Sequence, residues 1–124
     1  MTNFSGSPFD FILINDYTTR GLSSYLGSLI DTYLPEYTWR YDECGYACSD
    51  HVSWYRAGYA VAFPFESTFE AHNEKIHTRG DVLSASDESA LHASKFAKLA
   101  VAFLIEMTSP EKRREEGDEG SQNL

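Results

Sequence analysis

Hydrophobic and polar positions change period several times along the chain, and each change marks an element. Phe11-Ile12-Leu13-Ile14 is an apolar run closed by Asn15-Asp16. A run so short, without polar alternation, fits a strand buried on both faces better than a helix. From Leu22 the spacing turns helical: Leu22, Tyr25, Leu26, Leu29, Ile30 and Tyr33 share one face, and Pro35 bounds the far end. Tyr37, Trp39 and Tyr41 then alternate with Thr38 and Arg40, which predicts a strand with one aromatic face. Ser49 or Asp50 stands where the cap of a short helix over His51–Ala57 belongs, and Gly58 where a left-handed C-terminal residue is wanted. Ala60 to Phe63 reads as another buried strand, stopped by Pro64. Residues 66–86 are polar and keep no period, which predicts a long loop with a helical turn, of the kind that is usually functional or mobile. A long helix is expected from Asp87-Glu88, acids suited to its positive end, with His92, Phe96, Leu99, Ala100, Phe103 and Met107 on one face.

Strands alternating with helices, and no internal repeat, predict an α/β layer arrangement with a largely parallel sheet. Only three strands are visible. A sheet so small and apolar on both sides leaves at least one long unprotected edge, so the chain is expected to be part of something larger. From Ser109 to Leu124 the sequence has too few apolar side chains to offset its ordering entropy, which divides the chain into a folded part, 1–108, and an acidic disordered tail, 109–124.

Composition narrows the partners. Of 124 residues, 42% are hydrophobic and 15% aromatic, enough large apolar surface for a real core. The net charge of -9 works against a grip on phosphate backbones, so nucleic acid and anionic membrane are poor partners. No apolar run approaches the ~18–20 residues of a membrane span, and Met1 to Asp10 lack the basic and apolar regions of an export signal, so the chain as written is expected to be neither anchored nor addressed for export. Cys44 and Cys48, four apart, could close a small disulfide loop or remain two thiols; they lack the spacing of a thioredoxin-like pair or a zinc ribbon.

Taken singly, the chemical candidates are weak. His77 has a carboxylate four residues on, Asp81, which could orient an imidazole from behind a metal, although a surface histidine near an acid is the plainer reading. His51, at a helix start, reads as a packed or capping residue, His92 as a core histidine, and His72 shows no partner. Ser49-Asp50-His51 holds the residue types of a hydrolytic triad, but adjacent residues cannot point at one another as nucleophile, base and orienter.

The joint pattern is far more specific. Cys44-Gly45-Tyr46-Ala47-Cys48-Ser49-Asp50-His51-Val52-Ser53-Trp54, then Ala62-Phe63-Pro64-Phe65-Glu66-Ser67, Ile76-His77-Thr78 and Asp81-Val82-Leu83, resembles the C-terminal part of secreted bacterial leucyl aminopeptidases, two-zinc exopeptidases, and the likeness runs from Met1-Thr2-Asn3 through Met107. The resemblance implies part of a doubly wound, mostly parallel sheet with helices on both faces, a secreted protein, and peptide substrates with a free N-terminus. It implies two zinc ions bridged by a carboxylate and a water, with a glutamate as general base. His77 matches a terminal zinc ligand of that family. Tyr46 matches a residue that donates a hydrogen bond to the oxygen of the tetrahedral intermediate. Cys44 and Cys48 match a disulfide pair, and Phe65, Phe69 and Ile76 match the apolar pocket for the side chain of the N-terminal residue, consistent with Leu-like groups. Phe63 and His72 depart from the Met and Tyr usual there, which points to a narrower or more polar rim.

The largest departure is an absence. The family's remaining zinc ligands, its bridging aspartate and its catalytic glutamate match positions upstream of Met1, so of five metal-binding side chains only His77 is present. The resemblance therefore implies a segment that supplies one ligand, Tyr46 and part of the substrate pocket, is inactive alone, and needs the missing N-terminal portion of the catalytic domain as its partner. A different class of function, a non-catalytic binding or regulatory fragment docking through its exposed sheet edge, is the competing reading. A free-standing thiol protein is weaker, since nothing in the surroundings of Cys44 and Cys48 obviously lowers a thiol pKa.

Overall fold

Phe11–Ile14 forms the central strand, β1, and all four side chains are buried, as a run without polar alternation requires. The computed structural model describes residues 3–86 and 89–109. In chain order β1 is followed by α1 (Arg20–Tyr33), β2 (Trp39–Asp42), α2 (His51–Arg56), β3 (Phe63–Phe65), single 3-10 turns at Phe69–Ala71 and Leu83–Ser86, and α3 (Leu91–Thr108). The sheet order is β2-β1-β3. β2 runs parallel to β1, with Phe11 opposite Trp39, and β3 runs antiparallel, with Ile12 opposite Phe65 and Ile14 opposite Phe63. The molecule is thus an α/β protein with a small sheet and helices.

The period of two along β1 sorts the interior into two halves. Phe11 and Leu13 face α1 and α3, meeting Leu26, Leu29, Ile30 and Leu99, with Trp39, Phe96 and Phe103 packed around them. Ile12 and Ile14 face the opposite side, against Phe65, with Phe9, Cys44, Phe63 and Phe69 around them. On that second side α2 delivers His51, whose ring lies 4.6 Å from the Phe63 ring. Gly27 lets Trp39 approach α1 closely: a Cβ there would stand 2.5 Å from the indole. The indole Nε1–H in turn donates to Asp31 at 2.8 Å.

Several expected boundaries shift. Pro64 lies inside β3 rather than ending it, and the strand spans Phe63–Phe65 rather than Ala60–Phe63; β3 is an edge strand, where a missing N–H is tolerated. Neither Ser49 nor Asp50 caps α2 through its side chain; the Ser49 hydroxyl donates to Asp50 instead. Gly58 does adopt the left-handed conformation, at φ +86°. α3 begins at Leu91 with no acid in its first turn. Its first turn is capped locally by the Ser89 hydroxyl, which accepts from Leu91 N at 3.1 Å, and from far away in sequence by Asn3, whose Oδ1 accepts from Ala93 N at 3.1 Å while its Nδ2 donates to the Ser89 carbonyl. Asp87 and Glu88, and the tail from Pro110 onward, lie outside the described residues. Ser109 closes α3, its N–H and hydroxyl both donating to the Ile105 carbonyl.

Among the described residues no helix is long and apolar enough to cross a membrane. A groove of about 380 Å³ runs between α1, α3 and the β3 edge, lined by Leu22, Leu26, Pro64, Phe96, Leu99 and Phe103 among others. Beyond it α3 exposes Val101, Leu104, Ile105 and Met107, so Met107 is not part of the buried face that the periodicity suggests. This apolar surface lies beside the β3 edge of the sheet.

Candidate active site

On the Ile12–Ile14 side of the sheet a cavity of about 120 Å³ gathers Tyr46, Cys48, Phe63, Phe65, Phe69, His72, Ile76 and His77. Tyr46, His77, Phe65, Phe69 and Ile76, up to 31 positions apart in sequence (77 minus 46), therefore line one space. Phe63 and Phe65 reach it because residues two apart on β3 share a face. Phe69 is fixed by its backbone: its N–H donates to Asp42 Oδ2 at 2.8 Å, at the end of β2.

Cys44 and Cys48 form a disulfide, so the tight loop carrying Tyr46 is closed on itself. The loop is seated on the sheet by Asp16, just past the end of β1. Its two carboxylate oxygens accept from Cys44 N at 3.1 Å and from Gly45 N at 2.8 Å. Gly45 turns at φ +80°, a conformation that L side chains adopt only with strain. The Asp16 carbonyl also faces His51 Nε2 at 3.1 Å. Since a carbonyl only accepts, His51 carries its proton on Nε2. Tyr46 projects from this support, 58% exposed, its ring edge-on to Phe69 at 5.8 Å between centroids.

His77 is exposed and has φ +64°, one of two non-glycine residues with positive φ among those described. Strain of this kind concentrates at functional positions. Asp81, read from the sequence as the partner behind His77, is engaged elsewhere: its Oδ1 accepts from Asn73 Nδ2 at 3.0 Å, and no His77–Asp81 bond forms. His72 stacks on Phe69, ring centroids 5.2 Å apart, and its Nδ1 lies 2.6 Å from the Phe69 carbonyl, so Nδ1 is the donor and Nε2 is left as the acceptor of the neutral ring. His92 is buried against Phe96, as a core histidine should be, and burial together with the charge of Lys95 holds it below its ordinary value of 6.5.

A zinc pair needs several deprotonated ligands converging at fixed distances. Among the described residues no three His, Cys, Asp or Glu side chains converge in that way. The described residues do not by themselves fit such a centre, and His72 and His77 are the two imidazoles that line the cavity with Tyr46.

Sequence reasoning missed the carboxylates that hold this site together: Asp16, Asp42 and Glu66. Each stands at or just after the end of a strand, which is the signal that could have found them. Glu66 is 3% exposed, and its Oε2 accepts from Asn3 N at 2.6 Å and Phe4 N at 2.9 Å, tying the start of the chain to the end of β3.

The chain belongs to peptidase family M28, whose model matches residues 1–102. It is 39% identical over 95 residues to leucine aminopeptidase 1 of Penicillium rubens, covering 77% of this chain and 24% of that protein. It is 35% identical over 111 residues to a probable aminopeptidase of Saccharomyces cerevisiae, covering 88% of this chain and 29% of the relative. The crystal structure of the LapA aminopeptidase of Legionella pneumophila superposes with a TM-score of 0.80 at 41% identity, over 89% of this chain and 29% of that one. The chain thus spans less than a third of the length of each of these relatives.

Proposed function

We propose that residues 1–108 form the C-terminal portion of the catalytic domain of a secreted, zinc-dependent aminopeptidase that removes Leu-like N-terminal residues from peptides. The observation that carries this reading is the single cavity that joins Tyr46 and His77 to an aromatic pocket. In the assembled enzyme the side chain of the substrate's first residue enters between Phe65, Phe69 and Ile76. The Tyr46 hydroxyl donates to the carbonyl oxygen as it gains negative charge, acting as a donor fixed in place before the reaction. His77 would contribute one imidazole to the zinc centre of the assembled enzyme. The other ligands and the general base belong to the missing N-terminal portion of the domain, which is the partner this chain requires. The M28 membership and the leucine aminopeptidase relatives support the peptidase reading, and the disulfide suits an extracellular protein.

The apolar groove and the exposed face of α3 favour one alternative, a non-catalytic fragment that docks a partner. Two substitutions in the assembled enzyme separate these readings. His77→Ala lowers zinc occupancy and turnover together. Tyr46→Phe spares zinc and lowers kcat by roughly 10–10³-fold, the scale of one lost oxyanion donor. Zinc content unchanged in the His77 variant removes that residue from the ligand set, and turnover unchanged in both variants leaves only the docking reading.

A further inference from the structure

We infer that Asp16 is a positioning residue for Tyr46: it seats the disulfide loop on the end of β1 so that the Tyr46 hydroxyl is held over the cavity. The inference rests on the role proposed above for Tyr46 and adds the device that fixes it. The disulfide closes the loop upon itself, and Cys44 packs against Ile12, Ile14 and Phe65, a contact that is not directional. Directional attachment comes from the two adjacent N–H groups of Cys44 and Gly45, which point at the two oxygens of one carboxylate. Charged acceptors of this kind form stronger bonds than neutral ones, and a pair of bonds from consecutive amides fixes direction as well as distance. The positive φ of Gly45 turns the chain just after those two amides, on its way into Tyr46.

Asp16 is itself held. Its carbonyl receives His51 Nε2–H from α2, and β1, which leads into it, is wholly buried. The next residue, Tyr17, takes φ +55°, turning the chain away so that the Asp16 carboxylate stands free to meet the loop. Tyr46, by contrast, makes no side-chain hydrogen bond among the described residues and is more than half exposed. Its orientation depends on the loop beneath it and on one edge contact to Phe69. A donor placed an ångström off loses most of its advantage in the transition state, so the support acts on kcat rather than on substrate binding.

The test is a double-substitution cycle in the assembled zinc enzyme, with leucine p-nitroanilide as substrate. Asp16→Asn keeps the size but sets an amide N–H₂ against one of the two backbone N–H groups. It lowers kcat roughly 10-fold, never by more than Tyr46→Phe does, and leaves KM and zinc content unchanged. In the Tyr46→Phe background the same substitution changes kcat less than about 2-fold. Asp16→Glu, which restores a carboxylate, recovers part of the loss. An equal loss from Asp16→Asn in both backgrounds overturns the positioning role while leaving Tyr46 as the oxyanion donor. A Tyr46→Phe enzyme with full kcat overturns both. A second measurement needs no activity: hydrogen exchange at the Cys44 and Gly45 amides speeds up in Asp16→Asn while α1 and α3 keep their protection. Unchanged exchange at those two amides overturns the inference.

Discussion

On the side of β1 backed by helices, Phe11 and Leu13 meet Leu26, Leu29, Ile30 and Leu99, and dense apolar contact fixes the geometry. On the cavity side the buried apolar cluster is smaller, Ile12, Ile14 and Phe65, and the loops above it hang on carboxylates that accept backbone N–H groups: Asp16 from Cys44 and Gly45, Asp42 from Phe69. Glu66 does the same for residues 3 and 4. The difference shows how a loop-built site gains definition without a deep core of its own. Burial is non-directional and stabilises the whole sheet, whereas a hydrogen bond to a held carboxylate fixes one loop in one orientation.

If this division holds, Leu13→Ala strikes hardest at stability. Deleting a buried leucine from the helix-backed side costs about 2–5 kcal/mol, read as a fall in the denaturation midpoint across all probes at once. A loss below about 1 kcal/mol would mean that the helix side is not the main source of stability. Glu66→Gln is the matching experiment among the carboxylates. It keeps one acceptor oxygen but loses the charge, and costs about 1–3 kcal/mol. Faster amide exchange at residues 3 and 4 should precede any loss of protection in α1.

Acid separates two more groups, and both signs run the same way. His92 lies below 6.5 in the folded protein, so the stability attached to its neutral form is full above that value and drains as pH falls below it toward its folded pKa. Asp10 is worked upward by partial burial, but hydrogen bonds from Lys95 and Thr38 outweigh this and hold it below 3.8. Its contribution is present above 3.8 and is lost only as pH falls further. Melting temperature should therefore decline in two stages. His92→Phe, which removes two buried ring nitrogens without hydrogen-bond partners, should flatten the upper stage alone. This is the smallest of the three effects.

The same division explains what could be read from the sequence. β1 and α1 were legible because apolar periodicity records burial against a large neighbour, and Gly58 because left-handed turns favour glycine. β3 was displaced because proline ends a central strand but not an edge strand, and position in the sheet is not written locally. The start of α3 at Leu91 is set partly by the Ser89 hydroxyl, which accepts from Leu91 N, and partly by Asn3, which lies 90 residues from the Ala93 N–H it receives and so leaves no local signal. At the site, the family pattern pointed to Tyr46, His77, Phe65, Phe69 and Ile76, which the fold brings to one cavity. The pairing of Asp81 with His77 rested on sequence proximity alone, and Asn73 takes that carboxylate instead. Asp16 and Glu66 were invisible because an acid after a strand looks like an ordinary turn residue until its acceptors are seen to meet a distant backbone.

The central claim is that this chain holds part of an active site and not a whole one. It is tested most directly by measuring zinc stoichiometry and leucine p-nitroanilide hydrolysis on the purified 124-residue chain as a monomer, alone and after the N-terminal portion proposed for the domain is added. The account predicts no zinc pair and no turnover for the chain alone, association through its apolar edge, and recovery of solubility, zinc and activity together on reassembly. Two bound zinc ions and turnover in the isolated monomer would contradict it.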